Sequence, residues 1–222
     1  MDREEAIQLL KSGKVGVSKW NEFRGDRSHV RLPDLAGIDL RGANLAGVDL
    51  NGVGLCGADL SEAKLHDALL RDARFHDANL SGANLIRSRL VGAKLQRAKL
   101  DRTNLSQSDL SAANLSAAQL THATLFRVNF SDAKLCDANL CSAHVDYAYF
   151  FRTDLSGADL RGAQLLGTNF VSCNVCRANL ADSVVGLTVW ANVDLSQANG
   201  LDRMIHKAPS TIRLETFLRS RD

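Results

Sequence analysis

"DLAGIDLRGANLAGVDL", residues 34–50, places leucine at every fifth position: Leu35, Leu40, Leu45 and Leu50. An amphipathic helix repeats near 3.6 residues and a strand at 2, so neither element explains a period of five. Followed outward, the period does not break. Every fifth residue from 35 to 195 is Leu, Phe, Val or Trp, which makes 33 consecutive positions, 25 of them Leu. Two residues earlier, from Pro33 to Val193, the side chain is always small or medium, and Ala fills 19 of those 33 places. Asp or Asn stands immediately before the large residue in 18 of the 33 units. The unit often closes on Gly, as at Gly37, Gly42, Gly47, Gly157, Gly162 and Gly167.

Two of the five positions never carry a charge, and they lie two residues apart. In an extended segment such residues point the same way, so both face inward. Gly, Asn and Asp then bend the chain, because they tolerate tight turns and bond their own backbone. Extended pieces joined by bends, with one inward face, make an all-β solenoid of the β-helix type. Its backbone groups pair with the coils above and below. The exceptions to Leu count the sides. Phe130, Phe150, Phe170 and Trp190 lie 20 residues apart, and Val145 and Val185 lie 40 apart, so four units make one coil. A period of 15 scatters the four aromatic positions over three columns. The 33 units then make a little over eight coils, and at ~4.8 Å between stacked strands the rod is about 40 Å long.

Composition narrows the class. The 222 residues are 45% hydrophobic but only 5% aromatic, so the core is built from small and medium aliphatics. With 27 basic and 25 acidic residues the net charge is +2, which exerts no strong pull on nucleic acid or an anionic membrane. Neither is an expected partner. No stretch approaches the roughly 18 to 20 apolar residues of a membrane span. The N-terminus, "MDREEAIQLLKSGK", places Asp2, Glu4 and Glu5 where a secretion signal needs positive charge. The five cysteines, Cys56, Cys136, Cys141, Cys173 and Cys176, are odd in number and read as reduced thiols of a cytoplasmic protein.

A stack leaves its terminal coils uncovered, so solenoids need caps. Residues 1–32 read as an N-terminal helical cap and lead-in. Asp2 with Glu5 resembles a capping box, "REEAIQLL" favours helix up to Gly13, and Ile7, Leu10, Val15, Val17, Trp20 and Phe23 are placed to cover the first coil. Residues 33–198 are the repeat body. Residues 199–222 form a non-repeat tail, in which Ser210 is expected to cap a short helix carrying Ile212, Leu214, Phe217 and Leu218.

Units such as "ANLSG" (Ala78 to Gly82) and "ADLRG" (Ala158 to Gly162) resemble the pentapeptide-repeat family, whose consensus is Ala, Asp or Asn, Leu, any, any. The resemblance covers about three quarters of the chain. It implies a right-handed quadrilateral β-helix in a bacterial protein, and a homodimer through the C-terminal coil and tail, since an open end would expose Trp190 and Leu195. The flanks "LLKSGKVGVSKWNEFR" and "GLDRMIHKAPSTIRLETFLRS" resemble those of bacterial pentapeptide proteins, some of which continue into Toll/interleukin-1-receptor-type domains; that activity is not carried over to this chain.

Chemistry is sparse. No GxSxG, HExxH, phosphate-binding loop or dinucleotide fingerprint is present, and no enzyme or cofactor is expected. The Asp residues before each Leu read as turn supports, because Asn serves equally. His122, Cys141 and His144 fall on adjacent coils and form the best metal candidate, but the expectation is unrelated surface residues and no metal. Cys136 and Cys176 share a column two coils apart, roughly 10 Å, too far for a disulfide. Two surface features stand out. Arg87, Arg89, Lys94, Arg97, Lys99 and Arg102 face a single acid, Asp101, within residues 81–105 and form a basic belt ringing the rod. Phe126, Tyr147, Tyr149, Phe151, Leu166 and Val171 place large apolar groups on outward positions, a candidate protein contact; cover by the tail is the rival explanation.

The expected function is therefore a non-enzymatic scaffold for protein–protein interaction. The alternative comes from the resemblance: some pentapeptide proteins imitate double-stranded DNA and bind type II topoisomerases such as gyrase. Such mimicry needs about one negative charge per 1.7 Å of axis. Residues 34–195 carry 17 acids against 15 bases, and no loop interrupts the repeat.

Overall fold

The computed structural model describes residues 1–25, 32–212 and 216. The five-residue period becomes a four-walled tube, with walls 1 to 4 numbered by the inward leucines of the first coil, Leu35, Leu40, Leu45 and Leu50. Parallel bridges step by 20 residues, from Asp34–Gly54 to Asn179–Asn199. The regular ladder thus spans a little over eight coils, as the spacing of the phenylalanines indicates.

One wall shows the construction. The Leu40 N–H donates to the Asp59 carbonyl (2.7 Å), Asp59 N–H to Ile38 (2.9 Å) and Gly42 N–H to Ser61 (2.8 Å), while Ala43 N–H closes a turn on Leu40 (3.0 Å). Most corners are such turns. From 37 to 192 every fifth residue has φ between +52° and +69°, and ten of these are glycine while 22 carry a side chain. A positive φ at only the third turn residue is the requirement of a type II turn. The Asp or Asn before each large residue supports this bend. Its Oδ1 accepts from the backbone N–H two residues on, as Asp59 does from Ser61 (3.0 Å) and Asn104 from Ser106 (3.0 Å).

The inward positions from Leu35 to Val193 are buried except Ala43, which is partly buried. Phe130, Phe150, Phe170 and Trp190 stack in one column on wall 4, with centroids 5.0, 5.0 and 4.3 Å apart and planes within 10°. The inward small position accepts Ser, Thr and Cys because its polar atom finds a carbonyl. Thr103 Oγ1 donates to Leu80 (2.7 Å), Thr153 to Phe130 (2.8 Å) and Ser88 Oγ to Leu85 (2.6 Å). No buried hydroxyl on this column is left without a bond, so the dry core is not penalised.

The N-terminal cap holds two helices, α1 (Arg3–Lys11) and α2 (Gly13–Gly25). Asp2 caps α1 through a 2.8 Å bond from Glu5 N–H. Gly13, at φ +64°, separates the helices, and Gly16 lets them cross, since a Cβ there would lie 1.8 Å from the Leu9 carbonyl. Leu10, Val17 and Trp20 are buried, but Val15 is 68% exposed and does not cover the first coil. The cap also replaces hydrogen bonds that a preceding coil would have made. Arg3 donates to the Asp34 and Ala36 carbonyls (both 2.9 Å) on wall 1. Trp20 Nε1 donates to Asp49 (2.6 Å), Arg24 to Asn51 (2.7 Å), and Asp49 N–H to Asn21 Oδ1 (2.9 Å) on wall 4.

Toward the C-terminus the bridges lengthen into strands: β1 (Tyr149–Phe151), β2 (Gln164–Leu166), β3 (Asn169–Val171), β4 (Val184–Gly186), β5 (Val189–Ala191), β6 (Ile205–His206) and β7 (Thr211–Ile212). They form two parallel sheets, β1-β3-β5-β7 on wall 4 and β2-β4-β6 on wall 3. Pairing runs past residue 198. Val184 pairs with Ile205 and Trp190 with Ile212, one and two residues beyond the 20-residue step. The 3-10 turn Leu201–Arg203 precedes the first slip, and the second falls across Lys207 to Ser210. Ile212 is therefore in a strand and not in the expected tail helix, while Leu214, Phe217 and Leu218 lie outside the described residues. Trp190 is 3% exposed and Leu195 half-buried, and Thr216 Oγ1 donates to the Trp190 carbonyl (3.2 Å). The chain's own residues cover the ring whose exposure motivated a dimer.

Candidate functional site

The walls and corners carry everything that a partner can meet. Several corner charges are paired between coils. Asp67–Arg87 and Asp77–Arg97 meet through two hydrogen bonds each (2.8 and 2.7 Å), and Asp132–Arg152 pairs likewise. Arg87 and His66 hold the Asp67 carboxyl down at about 2, and the neighbouring arginines lower Asp77 and Asp132. The basic belt is consequently divided. Arg87 and Arg97 are engaged by acids one coil earlier, while Arg89, Lys94 and Lys99 stand on walls 4, 1 and 2 with no ion pair among the described residues. Arg102 occupies a corner at φ +56°.

His122, Cys141 and His144 do not converge: among the described residues no group of three His, Cys, Asp or Glu side chains is arranged to hold a metal. All five cysteines are free thiols. The sequence does contain one Cys-x-x-Cys spacing, Cys173–Cys176, which the reduced-thiol reading passes over. The five-residue register separates the pair. Cys173 points inward, where burial raises its thiol to about 11, and its Sγ donates to the Phe150 carbonyl (3.3 Å); Cys176 is half-buried at a corner.

The apolar candidates gather around wall 4. Tyr149 stands on that wall. Phe126, Tyr147 and Leu166 line its corner with wall 3, while Phe151 and Val171 line its corner with wall 1. Tyr147 is 50% and Tyr149 43% exposed. Phe126 and Tyr147 meet edge to face at 5.7 Å, and Tyr149 stacks on Phe151 at 6.3 Å. Arg127 lies 5.2 Å above the Phe126 ring and Arg152 4.7 Å above Phe151, cation–π contacts that hold the rings against the wall. The Tyr147 ring lies over Gly167, where any Cβ would fall 2.6 Å from it. Three further residues extend the surface: Leu187 at 62%, Ile212 at 55% and Ile205 at 44% exposure. Leu187 was legible in the register, being a large apolar residue at the turn position that Gly or polar residues fill elsewhere. Ile205 and Ile212 were not, because they lie beyond the slips in the ladder.

Fold and repeat settle the ancestry. The profile of pentapeptide repeats matches eight copies, over residues 34–72, 68–107, 88–125, 103–141 and 146–184. The chain belongs to the pentapeptide repeat family. No curated protein sequence matches it. Among solved structures, it is similar to QnrB1, a plasmid-mediated fluoroquinolone resistance protein, with 17% identity and a TM-score of 0.56 over 81% of this chain and 80% of that one. It also matches HetL of the cyanobacterium Nostoc, a pentapeptide repeat protein involved in heterocyst differentiation regulation, at 24% identity and a TM-score of 0.44, covering 86% and 95% of the two chains. Both are likenesses of fold.

Proposed function

We propose that the protein is a non-enzymatic scaffold that captures a protein partner through the apolar surface around wall 4. One observation carries this reading: Tyr147, Tyr149 and Leu187 are each more than two fifths exposed on a rod whose other outward positions are mostly polar. A contiguous apolar patch rimmed by charge is the mark of a protein contact, and Tyr is among the residues enriched in such contacts. A stiff stack loses little freedom on binding, which favours recognition by shape. No helix among the described residues is long and apolar enough to cross a membrane, in keeping with a cytoplasmic scaffold.

Replacing Tyr149 and Phe151 together by Ser tests the reading. Sedimentation and partner capture should both be compared with the parent protein, and unchanged behaviour in both refutes the contact. Gyrase binding by DNA mimicry is the second reading. The fold shared with QnrB1 admits it, but the paired corner arginines neutralise the acids that mimicry requires. A supercoiling assay with and without the protein separates the two.

A further inference from the structure

The helical cap covers only half of the first coil. On walls 1 and 4 the open edge is bonded by Arg3, Trp20, Asn21 and Arg24. On walls 2 and 3 nothing equivalent occurs. Asp39 N–H, the Asp39 and Arg41 carbonyls, and both backbone groups of Asn44 have no partner among the described residues. The Asn44 Oδ1 is buried and also unpartnered. These groups line a cavity of about 610 Å³, whose other side is the α1–α2 junction at Lys11, Ser12 and Gly13. An unbonded backbone edge lining an open cavity is unusual, because proteins bond or cover such edges.

We propose that this edge, Asp39–Asn44, is a docking site for an extended acidic peptide that adds to the tube as a parallel strand. The order of groups defines the occupant. An N–H followed by two carbonyls at strand spacing along wall 2 is complemented by a polypeptide backbone, as in other cases of strand addition. The next coil supplies the template: Leu40 N–H donates to Asp59, Asp59 N–H to Ile38 and Gly42 N–H to Ser61. A peptide in the place of a preceding coil repeats that set, donating two N–H groups to the Asp39 and Arg41 carbonyls and accepting from Asp39 N–H. Charge sets the side chain. Within the cavity Arg41 is bound to Asp39 by paired bonds of 2.9 and 2.8 Å. Lys11 forms no ion pair among the described residues and acts on Asp39 only through its field. Lys11 and Arg41 together therefore exceed the single carboxylate by one cation, available to a peptide carboxylate. The site lies in the first coil, whereas the apolar surface begins at residue 126, so either can fail without the other.

The test uses the full chain, labelled with nitrogen-15, and the acetylated, amidated peptide GADLSEA, which copies residues 57–63. Amide shifts are expected at Lys11, Asp39 and Arg41 to Asn44. Methylating the Leu and Glu amides of the peptide removes both donors and should weaken binding roughly tenfold or more. Lys11→Glu, on an exposed helix position, should weaken it about threefold or more. Three results overturn the proposal: no shifts at millimolar peptide, binding indifferent to amide methylation, or shifts confined to other walls. A fourth does so as well, namely protein that stacks end to end in the ultracentrifuge and excludes the peptide, since the edge then seats a second copy.

Discussion

Ala112 and Ala113 are adjacent, chemically identical, and predicted to respond to glycine in opposite directions. Ala112 sits at a corner with φ +56° and is exposed; Ala113 points inward and is fully buried. An L-residue in the left-handed region is disfavoured by about 1–2 kcal/mol, and glycine in a rigid position costs about 0.5–1 kcal/mol of chain entropy. Ala112→Gly should therefore stabilise by about 0.5–1 kcal/mol. Ala113→Gly relieves no strain. It loses a buried methyl worth about 0.8 kcal/mol and adds the same entropic cost, a destabilisation of about 1.5 kcal/mol. Urea unfolding at constant m-value reads both changes from the midpoint. Trp20 and Trp190, at opposite ends of the rod, show by coincident fluorescence transitions whether the stack unfolds as one unit. Two shifts of the same sign, or a destabilising Ala112→Gly, refute the assignment of corners and inward positions.

The other expectations rest on separate contacts. A double-mutant cycle of Phe150→Leu and Phe170→Leu, ring neighbours at 5.0 Å, should show a coupling of about 0.5–1.5 kcal/mol; additive losses refute a specific ring stack. Leu105→Ala should cost about 2–5 kcal/mol by urea unfolding, whereas Ser106→Ala, at a corner, should cost far less. Acid should destabilise the rod. The carboxyl of Asp67 lies at about 2 in the fold against ~3.9 unfolded, so its contribution is complete above the unfolded value and lost as pH falls toward the folded one. Melting temperature should drop over that window, and Arg87→Ala should flatten the drop. Leu187→Gly, at φ +55°, should raise the urea midpoint while weakening partner capture, and a loss of stability would show that the leucine serves the fold.

Much of this architecture is written in the period. Inward positions repeat as Ala and Leu because a dry tube of constant bore admits little else, so the core from Leu35 to Val193 was legible residue by residue. The number of sides was legible for a narrower reason: Phe150 and its neighbours stack only if 20 residues return the chain to the same wall. What escaped lies where the period stops. Helix α2 carries Gly13, Gly16 and two β-branched valines, a pattern of low helix propensity that the bonds from Trp20, Asn21 and Arg24 to the first coil offset. The strands at Ile205 and Ile212 escaped because each follows an inserted residue, which breaks the sequence register but not the ladder. The open edge at Asp39 escaped for a different reason. An unbonded carbonyl leaves no trace in residue identity; only the positions of Arg3, Trp20 and Arg24 reveal which walls the cap reaches.

The same division between period and exception locates function. A residue that serves the tube is explained by the tube: Leu inward, Ala beside it, Asp or Asn supporting the turn, Gly at the corner. Tyr147 and Leu187 satisfy none of these needs. Each occupies a strained corner, at φ +59° and +55°, where glycine fits better, and each leaves at least half its side chain in water. Fold stability alone would not place such large apolar residues there, two coil-steps apart on the same corner. Local conflict with the requirements of the fold is the expected signature of a site maintained for contact with something else. That reasoning singles out the wall 3–wall 4 corner over the basic belt, whose Arg87 and Arg97 already have partners within the tube.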